Sequence, residues 1–349
     1  MGLGMSSYEM EKAYEEAAQF AKHISATTKQ PVKLSRYISN YEQQYMETLI
    51  KILSEGDHMI NERTKIGTYR IPNVTLHLGP DDGIPLMITK KVMWKSAIKE
   101  ILWIMQKASN NIHDLDAHIW DEWADEDGSI GKAYGYQIKQ FDQVNNLLHT
   151  LETDPSSRRG VIDLWQIKDI PEMNLTPCCY SSIWNISDGK LNGTLIQRSG
   201  DFFLGVVFNT IQYRALQYMF AHHLGVGVGD FLHVISDAHV YDNQLDQANE
   251  QIRRYNLINY IDFFNDHPEI ENTFGKSETM FSMKQYLQKV NPSMKFNSSW
   301  EDLIKYFYNY PANIVFGSMN GTKFWDMSID NFGVTDYFPF PAIKAPVAV

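Results

Sequence analysis

The sequence predicts an α+β fold in which helices surround a mixed β-sheet. Residues 68–78 alternate apolar and polar side chains, as a half-buried strand does. Residues 180–186 and 191–196 are also strand-like, and Asp188-Gly189 between them is a hairpin signal. Residues 210–224 are apolar enough to form a buried helix. Strands and helices interspersed in this way indicate a sheet with helices packed against it.

The other elements follow from local signals along the chain. Gly56 and the pair Asp154-Pro155 are typical of the ends of helices. The predicted helices cover residues 7–23, 41–55, 89–106, 143–153, 210–224, 281–290 and 299–310. The predicted strands cover residues 68–78, 180–186, 191–196, 232–235, 314–316 and 332–337.

Composition narrows the class of protein. The 349 residues carry a net charge of −11, so no basic excess favours nonspecific nucleic-acid binding, and we expect none. No apolar run reaches membrane-spanning length, and residues 1–19 lack the apolar core of a signal peptide. The two cysteines are adjacent, which disfavours a disulfide, and no cluster at metal-ligand spacing predicts a metal site.

Residues 175–241 concentrate groups that together suit a phosphorylated base. The thiol of Cys178 can act as a nucleophile once it is ionised, and Arg198 is the candidate to stabilise the thiolate. Arg198 and Ser199 can also bind phosphate oxygens. The Asn209 amide can both donate and accept, which matches the edge of uracil. His239 and Tyr241 are two residues apart, so they share one side of a strand.

The order of these motifs resembles the thymidylate synthase family, and motifs in the rest of the chain extend the resemblance. The match covers roughly residues 45–255 and the final two dozen, and it is similar to the Bacillus and phage type. Its motifs are Asn61-Glu62-Arg63-Thr64, Lys99-Glu100-Ile101-Leu102-Trp103, Ile119-Trp120-Asp121-Glu122-Trp123, Ser157-Arg158-Arg159, Thr176-Pro177-Cys178-Cys179, Gln197-Arg198-Ser199-Gly200-Asp201, Asp237-Ala238-His239-Val240-Tyr241 and Ala345-Pro346-Val347-Ala348-Val349.

The resemblance implies a methyltransferase that converts dUMP to dTMP. Its co-substrate is 5,10-methylenetetrahydrofolate, which gives the one-carbon unit and the hydride, and no metal is needed. It also implies a homodimer that forms through a face of the sheet, with paired arginines completing the partner's active site. We expect a cytoplasmic enzyme, either bacterial or phage-encoded and acting in the host cytoplasm.

The resemblance assigns roles to individual residues. The implied catalytic residues are Cys178, Glu100, Arg198, Tyr134 and Asp201. The implied dUMP-binding residues are Arg63, Arg158, Arg159, Gln197, Arg198, Ser199, Asp201, Asn209, His239 and Tyr241. The implied folate-binding residues are Lys90, which could meet the glutamate tail, with Trp120, Trp123, Asp201, Gly205, Phe208 and Ala348.

Two stretches lie outside the resemblance. Residues 1–38 are expected to form an N-terminal helical extension. Residues 256–312 are expected to form a helical insertion, and no flexible linker flanks them. We therefore interpret residues 39–349 as one catalytic domain that contains this insertion.

The sequence also departs from the family pattern and leaves alternatives open. Cys179 stands where the family most commonly has a histidine, and we interpret it as a packing residue. Phe340 replaces the histidine of the family's Pro-His-Pro. A dUMP hydroxymethylase, which adds water where the synthase adds hydride, is the alternative enzyme. A non-catalytic RNA-binding role is the third hypothesis, which the acidic charge disfavours.

Overall fold

The computed structural model of the chain describes residues 38–60, 62, 64–266, 288, 313–334, 337 and 339–347, with only the backbone of residues 257 and 260–266. The chain divides into two compact units, residues 39–255 with 309–349 and residues 1–38 with 256–308. The second unit lies almost entirely outside the described residues. The helices expected at 7–23, 281–290 and 299–310, the extension and the insertion therefore stay predictions.

The strands of the described residues form two sheets. The strands are β1 (Asp57–Ile60), β2 (Gly67–Leu78), β3 (Ile84–Pro85), β4 (Gly160–Asp163), β5 (Cys179–Ser187), β6 (Lys190–Gln197), β7 (Gly200–Asp201), β8 (Gly227–Tyr241), β9 (Asn313–Phe316) and β10 (Phe332–Val334). The main sheet has the order β1-β2-β8-β6-β5-β4, with β7 beside β8. Strand β8 is antiparallel to β2 and parallel to β6, so the predicted mixed sheet is confirmed. The small antiparallel sheet has the order β10-β9-β3.

The β5–β6 hairpin forms where its turn residues predict it. Asp188 and Gly189 have φ angles of 50° and 67°, the left-handed conformations that a two-residue hairpin turn requires. Ser187 pairs with Lys190 across this turn, and the register then carries Cys179 opposite Gln197, with one irregularity between Cys179 and Ser181.

Six α-helices lie among the described residues. They are α1 (Asn40–Glu55), α2 (Trp94–Met105), α3 (Gly135–Gln140), α4 (Gln143–Thr153), α5 (Gly205–Leu224) and α6 (Leu245–Asp266). Ser39 caps α1 by accepting from the backbone N–H of Glu42, and Gly225, with a φ of 69°, ends α5. None of these helices is long and apolar enough to cross a membrane.

Helix α2 begins at Trp94, five residues later than predicted. The preceding segment is extended because distant groups bind its backbone. The buried Glu42 carboxylate accepts from the backbone N–H groups of Ile88 and Thr89. Phe340 near the C-terminus donates to the Ile88 carbonyl and accepts from Lys91, both at 2.8 Å. The partners in these contacts are distant in sequence, so a local pattern of residues cannot show them.

The strand expected at residues 232–235 is much longer, because β8 runs over fifteen residues. Glycines and aspartates interrupt its apolar pattern, yet the strand is central and pairs with β2, β6 and β7. The strand carries both His239 and Tyr241, as the sequence predicts. Strands β1, β3, β4 and β7 and helices α3 and α6 lack a strong local signal and were not predicted.

Candidate active site

The two adjacent cysteines have different environments. Cys178 precedes β5 and is partly exposed, and its backbone N–H donates to the Tyr134 hydroxyl at 3.2 Å. Its Sγ lies 3.8 Å from Nη2 of Arg198. The Cys179 side chain is buried, and this burial raises the pKa of its thiol well above the usual value. A guanidinium stabilises a thiolate, so Cys178 is the thiol placed to react.

Arg198 follows β6 and is fixed by the loop that leads to Cys178. Its Nε donates to the Pro177 carbonyl at 3.1 Å, and its Nη2 donates to the Thr176 hydroxyl at 2.8 Å. The guanidinium also lies over the Trp165 ring, 5.4 Å from the centroid. These contacts hold the cation beside the thiol.

Glu100 on α2 occupies an environment that favours its neutral form. The Trp120 indole donates to Oε1 at 2.8 Å, and the Gln212 amide donates to Oε2 at 2.6 Å. Burial raises the pKa of this carboxyl from 4.5 to about 7, although both hydrogen bonds oppose the shift. A carboxyl with this pKa can both give and take a proton near neutrality.

Tyr134 lies between Cys178 and Trp120. Its ring meets the Trp120 ring edge-on, with centroids 5.1 Å apart. Burial keeps its pKa well above the ordinary value, so the hydroxyl stays protonated. The backbone of Tyr134 has a φ of 45°, a conformation that is costly for a bulky residue. Such strain is common at active sites.

Asn209 on α5 is held on both sides by other amides. Its Oδ1 accepts from Nε2 of Gln197 at 3.1 Å, and its Nδ2 donates to Oε1 of Gln212 at 3.1 Å. Gln212 in turn donates to Glu100. The base-reading amide and the proton-handling carboxyl are therefore joined through a single side chain.

These residues close into one circuit of contacts. Tyr134 joins the backbone of Cys178 to Trp120, and the amides join Glu100 to Gln197, which pairs with Cys179 in the sheet. The circuit is Cys178, Tyr134, Trp120, Glu100, Gln212, Asn209, Gln197 and Cys179.

Asp201 connects the site to the C-terminal tail. Its Oδ1 accepts from the backbone N–H of Leu204 at 3.0 Å. Its Oδ2 accepts from Gln244 at 3.0 Å, and the same Gln244 amide nitrogen lies 3.2 Å from the Pro346 carbonyl. Five residues before Pro346 in the sequence, the Pro341 carbonyl accepts from Arg254 at 2.7 Å. The tail is thus held by side-chain donors that bind its backbone carbonyls.

His239 on β8 is oriented by a carboxylate. Its Nδ1 lies 3.1 Å from Oδ1 of Asp237, and Arg70 donates to the other oxygen of Asp237 at 3.2 Å. The bond to His239 holds the pKa of Asp237 below its ordinary value. Nε2 of His239 is thereby directed away from Asp237, and the Tyr241 ring lies 5.0 Å from the imidazole.

Other predicted residues have different positions. Arg158 and Arg159 are exposed beside β4, and their guanidinium groups make no hydrogen bond to the described residues. Lys90 is buried and contacts the Phe203 carbonyl and the Tyr45 hydroxyl, and burial lowers its pKa to about 7. This burial does not fit the expectation that Lys90 meets a folate tail.

The remaining predicted residues divide into two groups. Four of them are partly exposed and lie within four residues of a member of the circuit in the sequence: Ser199, Gly205, Phe208 and Trp123. Arg63 and Ala348 lie outside the described residues. No group of three metal-binding side chains occurs within the described part of the chain.

Several residues of the site carry no sequence signal of their own that predicts a role. Gln212 lies three residues after Asn209 on a predicted helix, so helical spacing could have placed both on one side. Asp237 belongs to a recognised motif and Gln244 follows it, but their roles depend on tertiary contacts that no local pattern shows.

Comparison with known proteins gives the family. The family model described as thymidylate synthase matches residues 43–299, which is most of the chain. This chain belongs to the thymidylate synthase family. The expected methyltransferase activity, the conversion of dUMP to dTMP with methylenetetrahydrofolate, is confirmed at the level of the family. The α+β fold is likewise confirmed, and the hydroxymethylase alternative is not favoured.

Individual thymidylate synthases show the same relation. The Clostridium beijerinckii enzyme is 38% identical over 265 residues, which cover 75% of this chain and 100% of that protein. The Bacillus phage phi3T enzyme is 38% identical over 237 residues, 62% of this chain and 85% of that one. The solved thermostable thymidylate synthase A from Bacillus subtilis has a TM-score of 0.66 and 29% identity, covering 88% of this chain and 99% of that one. The predicted similarity to the Bacillus and phage type is confirmed.

Proposed function

We propose that this thymidylate synthase uses Cys178 as its nucleophile and the surrounding circuit to bind and activate dUMP. The observation that carries the proposal is the contrast between the two cysteines. The Cys178 thiol is partly exposed and lies 3.8 Å from a guanidinium nitrogen, whereas the Cys179 thiol is buried. Only the first meets the requirements of a thiolate nucleophile.

The first step forms a bond between Sγ of Cys178 and C6 of uracil. The electron pair of the C5–C6 double bond moves to C5 and O4, which gives an enolate whose C5 is nucleophilic. Glu100 and the Tyr134 hydroxyl supply and accept the protons that this charge shift requires. A Glu100 pKa of about 7 supports this role because both protonation states are populated near neutral pH.

Asn209 reads the base and the strand residues read the sugar. Oδ1 of Asn209 can accept from N3–H of uracil, while Nδ2 can donate to O4. His239 and Tyr241 then bind the 3′-hydroxyl of the deoxyribose. The Asp237 carboxylate supports this by holding His239 at Nδ1, which leaves Nε2 for the substrate.

The folate site is supported by a carboxylate and aromatic rings, of which Trp123 and Phe208 are partly exposed and Trp120 is buried. Asp201 offers acceptor oxygens for the pterin N–H groups, and the Trp120, Trp123 and Phe208 rings provide apolar faces. When it is bound, methylenetetrahydrofolate supplies the one-carbon unit and the hydride. The tail contacts through Gln244 support a role for residues 345–349 as a lid that excludes water.

The phosphate site requires a second copy of the chain. Within one chain, Arg198, Ser199 and Arg63 bind the phosphate of dUMP. The pair Arg158 and Arg159 binds the phosphate of the dUMP in the active site of the partner subunit. The exposure of these two arginines beside the edge strand β4 supports this arrangement. Guanidinium groups without partners among the described residues are free to donate to a phosphate.

A partly exposed row on the sheet, apolar except for Thr194, supports a homodimer that forms there. Val161 pairs with Ile183, Ile183 with Thr194, and Thr194 with Leu232, so four strands contribute to one row. The Val161 and Ile183 side chains are 44% and 36% exposed. Apolar side chains in this arrangement are typical of a surface that another protein covers.

The organisation and location of the enzyme form the rest of the proposal. Residues 39–349 constitute the catalytic domain, residues 1–38 an N-terminal extension and residues 256–312 an insertion. The enzyme works in the cytoplasm, where thiols stay reduced, and two cysteines that form no disulfide support this location.

The test is product identification by mass spectrometry. The purified chain is incubated with dUMP and methylenetetrahydrofolate, with the Cys178→Ser variant as the control for background chemistry. We expect dTMP from the wild type and none above background from the variant. Formation of 5-hydroxymethyl-dUMP, or of dTMP by both proteins, would contradict the proposal.

A further inference from the structure

A buried histidine lies behind the base-reading amide. His233 on β8 is fully buried, and its Nε2 is 2.7 Å from Oε1 of Gln197. Its Nδ1 is 3.0 Å from the Thr210 hydroxyl, which Tyr41 contacts at 3.0 Å. None of these three side chains belongs to the circuit around Cys178, yet Gln197 connects them to it.

The direction of the hydrogen bonds follows from a backbone carbonyl. Nε2 of Gln197 is 2.9 Å from the Ser199 carbonyl oxygen, which can only accept, so this atom is the amide nitrogen. The Gln197 side-chain atom that faces His233 is then the amide oxygen, Oε1. Because this oxygen accepts, Nε2 of His233 must carry the hydrogen. Burial lowers the pKa of His233 to about 3, so the ring is neutral and its unprotonated Nδ1 faces the Thr210 hydroxyl, which also contacts the Val206 carbonyl at 3.0 Å.

The same reasoning sets the orientation of Asn209. The second N–H of Gln197 meets Asn209 at 3.1 Å, so the Asn209 atom on that side is the oxygen. Nδ2 of Asn209 donates one hydrogen to Oε1 of Gln212. One lone pair on Oδ1 and one hydrogen on Nδ2 remain. They match N3–H and O4 of uracil, whereas cytosine offers an acceptor and a donor at these places.

We propose that His233 is a positioning residue that fixes the Gln197 and Asn209 amides in the orientation that accepts uracil and rejects cytosine. The proposal rests on the proposed function, because it assigns a specificity determinant to the same dUMP site. Without the His233 donor, the buried Oε1 of Gln197 has no partner. Gln197 then rotates to regain one, and Asn209 loses a bond that distinguishes its oxygen from its nitrogen.

The test compares three variants with the wild type. His233→Phe keeps an aromatic ring but removes the donor, and His233→Gln keeps an N–H donor of similar reach. Tyr41→Phe is the matched control. It removes the buried hydroxyl at the far end of the hydrogen-bonded series Tyr41–Thr210–His233 and leaves both amides unchanged. Tritium release from C5-labelled dUMP and dCMP, with methylenetetrahydrofolate present, gives kcat/KM for each nucleotide.

We expect the ratio of kcat/KM for dUMP over dCMP to fall at least tenfold in His233→Phe. The ratio should stay within threefold of wild type in His233→Gln and Tyr41→Phe. A His233→Phe enzyme that loses activity on both nucleotides equally would overturn the proposal and leave the proposed function intact. A wild type inactive on dUMP would instead refute the proposed function, and this inference with it.

Nitrogen-15 NMR of the wild type provides a measurement that does not depend on the stability of His233→Phe. The His233 signals are assigned as those missing from His233→Gln. We expect the neutral Nε2–H tautomer throughout pH 6–8. A neutral Nδ1–H tautomer would overturn the proposal, because that ring could not donate to Gln197.

Discussion

Replacing Glu100 with glutamine should stabilise the protein at alkaline pH although it removes a catalytic group. The carboxyl has an ordinary pKa of 4.5, and burial raises it to about 7 in the folded state. The folded protein therefore holds this proton more tightly than the unfolded chain does. Stability falls as pH rises from 4.5 toward 7, because the unfolded chain releases this proton while the folded protein still holds it.

The size of the effect follows from the two pKa values. Relative to the fully protonated state, Glu100 costs about 0.8 kcal/mol at pH 5 and about 3.3 kcal/mol at pH 8. The difference, about 2.5 kcal/mol, is the pH-dependent gain expected for Glu100→Gln over this interval. Any cost of mismatched hydrogen bonds to Gln212 is the same at both pH values and cancels in the difference.

The assay is urea unfolding of wild type and Glu100→Gln at pH 5 and pH 8, at one protein concentration. Trp120→Phe is a useful companion, because loss of the indole donor raises the Glu100 pKa and increases the alkaline cost. A stability difference between wild type and Glu100→Gln that is the same at both pH values would contradict this prediction. It would mean that Glu100 does not titrate near neutrality.

The remaining predictions concern the nucleophile, the base and the second subunit. Cys178→Ser should abolish dTMP formation but keep dUMP binding, whereas Cys179→Ser should keep substantial activity; the reverse result would exchange the roles of the two thiols. Asn209→Asp should raise relative kcat/KM on dCMP, because a protonated carboxyl can donate to cytosine N3, and an unchanged ratio would remove Asn209 from base reading. Mixed Arg158→Ala and Cys178→Ser chains should regain activity after subunit exchange, and no recovery despite confirmed exchange would show that Arg158 acts within its own chain.

The fold was predictable where the signal is local. Helix α4 has the predicted bounds because Asp154-Pro155 closes it, and the β5–β6 hairpin follows from Asp188-Gly189. Residues 89–93 show the limit of this approach. The apolar spacing of residues 98–104 predicts a helix that extends back to residue 89, but the Glu42 carboxylate and the Phe340 backbone, distant in sequence, hold residues 89–93 extended.

The site shows the same division. Cys178, Arg198 and Asn209 carry motifs that are visible in the sequence. The structure places Cys178 and Asn209 in one circuit and Arg198 beside the Cys178 thiol. Gln212 and His233 have no such motif. Their positions depend on the packing of α5 against the sheet and on the parallel pairing of β6 with β8, which local patterns do not specify.

The most direct test of the synthase activity follows the hydride. Methylenetetrahydrofolate that carries deuterium at C6 of the pterin is supplied with dUMP, and both products are analysed by mass spectrometry. We expect one deuterium in the methyl group of dTMP and one dihydrofolate for each dTMP. Unlabelled 5-hydroxymethyl-dUMP, together with tetrahydrofolate that keeps its deuterium, would show that water replaces hydride and would contradict the account.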